Sequence, residues 1–361
     1  MRLIDRYITK EFFGPFLFGV GAFVVILVGI VLSPQMLRLL VRDQYPANIV
    51  LRIFLYRLPA LFVLTFPMAT IFASLMALAN LSSHGEVIAM RAGSVSLGRI
   101  AVPVLCLGLL ISVSNLAVNE VLVPWSNDAA YELTMDYSKK ARAMEHLTFQ
   151  LPSQGQPERI VYAKKFDPKR KLLEGLIIIE MRDGNPWEVL KAESAEWAGS
   201  TWHLRNVEHR QTSIDGSQRL ERVALMTHDV GKSPDEIAKR EKDTSDMSLA
   251  ELHAEADKRR REGVRELEVL KVLQAIQMHW ALPWASLGFA FIGVPLGLRP
   301  ARATTGIGLG LSLVIVFAYY IIYNTLSLVG QQGTLPPWVV AWLPNGILFG
   351  AGLGLFLSAD R

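Results

Sequence analysis

Six stretches of roughly 20 mostly apolar, nearly uncharged residues constrain this chain more than any other feature, since a run of that length crosses a bilayer core of about 30 Å as a helix. They are Phe12–Leu32, Leu58–Leu81, Ile100–Val118, Val272–Leu298, Ala303–Val329 and Trp338–Leu357. Hydrocarbon offers the backbone no hydrogen-bond partners, so each run reads as a transmembrane helix. The first is too long for a removable signal peptide, lacks a small-residue cleavage site, and reads as a permanent span. The net charge of +4 is slight and spread out, which argues against a nucleic-acid surface. The single cysteine, Cys106, lies inside the third run and reads as a packing residue. No internal disulfide can form, and a domain outside the membrane must stand on its own core.

Met1–Glu11 is an amphipathic foot carrying Arg2, Arg6 and Lys10. Basic flanks stay in the cytoplasm, which places both termini there after six crossings. Leu81–Arg99 and Arg299–Arg302 then face the cytoplasm, while Ser33–Arg57, Asn119–Lys271 and Gly330–Pro337 face outward. Arg91, Arg99, Arg299 and Arg302 agree with this orientation, but Arg38, Arg42, Arg52 and Arg57 cluster on the outer side. Two readings of that cluster stand. Arginine forks match phosphate oxygens and suit a phosphorylated lipid; arginines at span ends also snorkel with no ligand at all. Pro59, Pro67, Pro283 and Pro295, with Gly288, Gly293, Gly297, Gly306, Gly308 and Gly310, predict bent helices that approach closely.

Between spans three and four the sequence changes character. Arg159–Phe166, Leu172–Met181, Glu188–Trp197, Thr201–Glu208 and Arg219–His228 are short runs rich in Val, Ile, Thr and Trp. Turn signals such as Asp183-Gly184-Asn185-Pro186 and Asp215-Gly216 separate them, which predicts an all-β sandwich or a curled open sheet. Asn119–Met144 reads as a helix leading in, and Lys232–Arg265 as a charged linker with a short helix at Leu249–Arg261. The expected division is 1–118 for spans one to three, 119–267 for the β domain with its helical linkers, and 268–361 for spans four to six.

No phosphate loop, nucleophile elbow, zinc-helix motif or cysteine–histidine metal set occurs. The chain therefore reads as having no catalytic residue, no metal and no cofactor of its own. His203 and His209 read as surface polarity, and Glu120, Asp128 and Glu132 as a solvated helix face. His279, the one ionisable residue of span four, reads either as a functional group inside the membrane or as an interfacial histidine beside Trp280 and Trp284. A self-powered carrier would usually hold an acid near the membrane midplane, and none of these spans does.

The most deliberate polar stretch between two spans is Leu81–Ile100. Ser83-His84-Gly85-Glu86 has the spacing of a capping box, which predicts a helix starting there. Val87, Ile88 and Met90 supply its apolar face, Arg91 follows, and Gly93 is placed to end it in a left-handed conformation. This is either a docking knob or a capped surface turn.

Taken together, IDRYITKEFFGPFL, LPALFVLTFPMATIFASLMALANLSSHGEVIAMRAGSVSLGRI, LPWASLGFAFIGVPLGLRP, GIGLGLSLVIVFAYY and LPPWVVAWLPN, in this order around a β insert, resemble the LptF/LptG permease family, the membrane subunits of the ATP-driven lipopolysaccharide exporter. The resemblance covers nearly the whole chain. It implies a bacterial inner-membrane protein with six transmembrane helices and an inserted, jellyroll-like periplasmic β domain. It implies a second permease of the same family, two cytoplasmic ABC ATPase subunits that bind the ATP, and periplasmic jellyroll bridge proteins that receive lipopolysaccharide. Residues 82–92 would be the coupling helix, with Ser83, Glu86, Val87, Met90 and Arg91 at the ATPase and Glu86 as its acid. Spans one and five would form a lateral gate, and Arg38, Arg42, Arg52 and Arg57 would hold lipid phosphate. The chain departs from the family at Trp280, where members often carry a basic residue, and its outer arginines match only in kind. The F and G branches stay open. A secondary lipid transporter and a non-transporting scaffold for periplasmic partners are the rival readings.

Overall fold

The computed structural model describes residues 3–141, 144–153, 156–167, 170–182, 185–212, 218–238, 243–261, 263–298 and 305–359. Arg2, Arg299, Arg302 and the turn residues Asp183, Gly184, Asp215 and Gly216 lie outside them. The chain forms two compact units. The helical unit takes in Met1–Ala130, Thr244–His253 and Leu270–Arg361; the sheet unit takes in Tyr131–Asp243 and Ala254–Val269.

In the helical unit six helices are long and apolar enough to cross a membrane. Helix α1 (Leu3–Leu27) continues through a π turn at Val28–Leu32, the short α2 (Ser33–Leu37) and a second π turn at Arg38–Arg42. Helix α3 (Ala47–Ser83) has 37 residues, so it runs about 55 Å and overshoots the hydrocarbon at its ends. The short α4 (Glu86–Ala92) leads to α5 (Leu97–Ala117), a π turn at Val118–Leu122 and α6 (Val123–Ala141). After the sheet come α7 (Pro234–Ala238), α8 (Leu249–Arg261), α9 (Glu266–Gly297), α10 (Thr305–Gln331) and α11 (Pro337–Ala359). The helices overrun the apolar windows because their polar end turns remain helical outside the hydrocarbon. Helix α3 is the enclosed one, with 78% of its most apolar stretch buried against 17% for α1 and for α10.

Prolines inside these helices leave carbonyls without their usual donor, since proline has no N–H for the residue four back, and for two of them the replacement donor is seen. Pro67 of α3 orphans Val63, and Pro283 of α9 orphans His279. Both carbonyls are satisfied from the third span: Asn115 Nδ2 donates to Val63 O at 3.0 Å and Asn119 Nδ2 to His279 O at 3.3 Å. The two carbonyls that these prolines free are thus completed by amides of a neighbouring helix.

The sheet unit is one antiparallel meander in which the strands lie in sequence order. They are β1 (Met144–Ser153), β2 (Gln156–Asp167), β3 (Leu172–Arg182), β4 (Asn185–Ala198), β5 (Thr201–Thr212) and β6 (Gln218–His228). Alternation along a strand should bury every second residue. Instead each central strand has one gap of three between buried residues: Ala163 to Phe166, Leu173 to Leu176, Ala192 to Ala195 and Leu204 to Val207. These breaks are in register, since Ala163 faces Leu176, Leu176 faces Ala192 and Ala192 faces Val207. At the break Gly175 and Asn206 have φ of +62° and +51°, and Asn206 Nδ2 donates to Glu193 Oε2 at 2.6 Å. The inward-facing parity thus switches at the same level in all four central strands, with a left-handed residue at the break in β3 and β5, and the sheet keeps one continuous buried face around Trp202, Phe166 and Leu173.

Candidate functional site

The end of the helical unit that carries α4 is built on the first span. Helix α3 runs on through Ser83, whose hydroxyl donates to Asn80 O at 2.9 Å. A tight turn follows at His84-Gly85, with Gly85 at φ +72° and no side-chain cap, and α4 begins at Glu86. The expected capping box is not formed. Ser83 still has helical backbone and spends its hydroxyl on the preceding turn, so it cannot serve the next helix. At the other end Val95 N donates to Met90 O at 3.0 Å and Ser94 N to Arg91 O at 2.9 Å, a Schellman closure. The left-handed residue of that closure is Ser94 at φ +61°, whereas the expected Gly93 has φ −81°. Ser96 then caps α5 by accepting from Arg99 N at 3.3 Å.

Helix α4 sits on an apolar seat. Val87 is buried in a cluster with Ile8 and Phe12 of α1, Leu81 of α3, and Leu97 and Ile100 of α5, and Met90 packs against it. Ile88, expected on this face, is 70% exposed and lies on the outside with Ala89 and Arg91. Three polar ties fix the seat, all reaching from the foot of α1. Asp5 forms an ion pair with Arg99 at 2.7 Å, the Tyr7 hydroxyl donates to Glu86 Oε1 at 3.0 Å, and Asn80 Nδ2 donates to Glu11 Oε2 at 3.2 Å. Sequence reasoning singles out none of Asp5, Tyr7, Glu11 or Asn80. The polar spacing of Asp5, Tyr7 and Glu11 along the foot, beside the buried Ile8 and Phe12, is the signal that could have found those three.

At the opposite end the four outer arginines divide. Arg38, Arg42 and Arg52 are exposed and make no ion pair among the described residues. Arg57 differs: its Nη1 lies 2.7 Å from Asp246 Oδ1 and 3.3 Å from Asn127 Oδ1, and Asn127 Nδ2 donates to the same Asp246 oxygen at 3.0 Å. Arg57 is thus supplied with an acid by the fold, whereas the other three meet none among the described residues. Single replacements Arg57→Ala and Asp246→Ala are expected to lower stability by about 1 kcal/mol each, and the double variant by little more than either. Thermal unfolding of the four proteins measures this coupling.

His279 is not simply an interfacial ring, nor Glu120 part of a solvated face. The His279 Nε2 and Glu120 Oε2 atoms are 3.0 Å apart. In the sheet unit His209 meets Glu188 of the neighbouring strand, an acidic partner 21 residues away in the chain. Among the described residues no group of three or more histidines, cysteines or acids could hold a metal ion.

No curated protein matches the chain. The family model described as lipopolysaccharide export system permease LptF/LptG matches residues 6–358. A match of that extent takes in all six spans, the seated α4 and the whole sheet at once. The chain is accordingly a multi-pass membrane protein of the LptF/LptG permease family, a membrane subunit of lipopolysaccharide export and not itself an enzyme.

Proposed function

We propose that this chain is one of two permeases in an ATP-driven exporter that takes lipopolysaccharide from the outer leaflet of the bacterial inner membrane. Two cytoplasmic ABC ATPase subunits bind and split the ATP, α4 docks in their groove, and both termini lie on their side. Lipid phosphate is met outside by Arg38, Arg42 and Arg52, and the lipid passes to the periplasmic sheet unit and on to a bridge of like domains. ATP binding changes the ATPase surface under α4, and a change that favours one arrangement of the helices over another shifts the population between them.

The observation that supports this most is the seat of α4. Its inner face is tied to the first span while Ile88 and Arg91 stay outside, so a load on α4 reaches α1 directly. The test is to purify the tagged protein from its native membrane in mild detergent, with and without Glu86→Ala, and to assay the ATPase and lipopolysaccharide that come with it. Glu86→Ala is expected to weaken ATPase retention about tenfold. A wild type that retains no ATPase, or a variant that retains it unchanged, points to the scaffold reading.

A further inference from the structure

We infer that Tyr7 is a positioning residue for the docking acid Glu86; the inference rests on the docking reading of α4. Glu86 belongs to a seven-residue helix beside several cations in the sequence, yet it forms no ion pair among the described residues with Arg6, Lys10 or Arg91. Its one described partner is the neutral Tyr7 hydroxyl, at 3.0 Å from Oε1. A phenol satisfies one oxygen and leaves the negative charge in place, whereas a cation would cancel it. The second oxygen, Oε2, has no partner among the described residues and can accept from an incoming guanidinium or ammonium group.

The turn of α1 that carries the tyrosine is itself held, although the ring is exposed. Ile8, its neighbour on α1, is fully buried under Val87, and Asp5 and Glu11 are tied to Arg99 and Asn80 on either side. The hydroxyl is therefore presented from a fixed turn of helix, and it removes rotameric freedom from Glu86 before a partner arrives. A carboxylate held in this way, still charged and with one oxygen open, recognises a basic side chain in a defined orientation.

The experiment uses the full-length permease in nanodiscs with its cognate ATPase and compares wild type, Tyr7→Phe, Glu86→Gln and the double variant. Tyr7→Phe deletes only the hydroxyl, so the ring packing and the unfolding midpoint are expected to be unchanged. ATPase dissociation is expected to quicken about three- to tenfold in Tyr7→Phe, and Glu86→Gln should show at least that loss. The double variant should behave as Glu86→Gln alone, because without the charge there is nothing for Tyr7 to position. If Tyr7→Phe matches wild type while Glu86→Gln weakens docking, the inference fails and the docking reading stands. If the Tyr7→Phe loss persists in full on top of Glu86→Gln, Tyr7 acts by another route and the inference also fails. If neither variant weakens docking, the docking reading falls and takes the inference with it.

Discussion

Replacing Gly293 by valine is expected to cost this protein about 1–3 kcal/mol or to prevent assembly of the helical unit. A Cβ at position 293 would lie 2.5 Å from Ser74 Cβ, and one at position 297 would lie 2.9 Å from Leu78 Cβ and 3.2 Å from the carbonyls of Ser74 and Leu75. Gly293 and Gly297 are four apart on α9, and Ser74 and Leu78 are four apart on α3, so two small residues admit two neighbours of the facing helix. Neither side can yield cheaply. Ser74 is fully buried and its hydroxyl donates to Thr70 O at 2.7 Å, while α3 is enclosed by the rest of the unit. Gly310→Val is the control, because Gly310 is exposed and a Cβ there would meet nothing within 4 Å. Unfolding midpoints in mild detergent should fall steeply for the first variant and little for the second. Equal behaviour of the two would show that α3 and α9 are not in close contact.

Asn115→Leu is expected to be nearly as damaging, for a different reason. Leucine keeps the branched shape of asparagine but loses its donor, and the main loss is expected at the Val63 carbonyl, which Pro67 has already deprived of its helical donor. Orphaning a buried acceptor costs about 1–3 kcal/mol, although membrane helices often recover part of this through other partners. The Asn115 Oδ1 atom has no partner of its own, and its removal offsets some of the cost. A net loss of about 1 kcal/mol or somewhat more should therefore register as a lowered unfolding midpoint. The diagnostic is rescue: in the Asn115→Leu background, Pro67→Ala restores an N–H four residues beyond Val63 and should recover much of the stability. No recovery would mean that Asn115 matters through packing instead.

Much of the architecture is legible from local chemistry. Six apolar runs can only be helices, and the strands announce themselves by β-branched residues between turns. What fails is the spacing motif at Ser83 and Glu86. The same S-x-x-E pattern occurs at Ser233–Glu236 and Ser248–Glu251, and there the reciprocal bonds form: each glutamate accepts from its serine N at 2.8 Å, and each serine oxygen accepts from its glutamate N at 3.3 Å. In those two places the serine follows non-helical backbone and is free to adopt a cap conformation. Ser83 ends a 37-residue helix that has not yet stopped. The motif depends on what precedes it, and four residues do not contain that information. Tyr7, Asn115 and Asn119 are hidden for a related reason. A proline in a span tells which carbonyl is orphaned, but the donor is 52 residues away for Val63, and 79 residues separate Tyr7 from Glu86.

The enclosure of the helices is uneven. Helix α3 is surrounded, while α1 and α10 leave most of their apolar length uncovered by the rest of the described chain, a surface that lipid tails or a partner helix can meet. Helix α4 is seated, through Val87, on Ile8 and Phe12 at the foot of α1, so whatever engages α4 reaches one of the two spans with the most uncovered apolar surface.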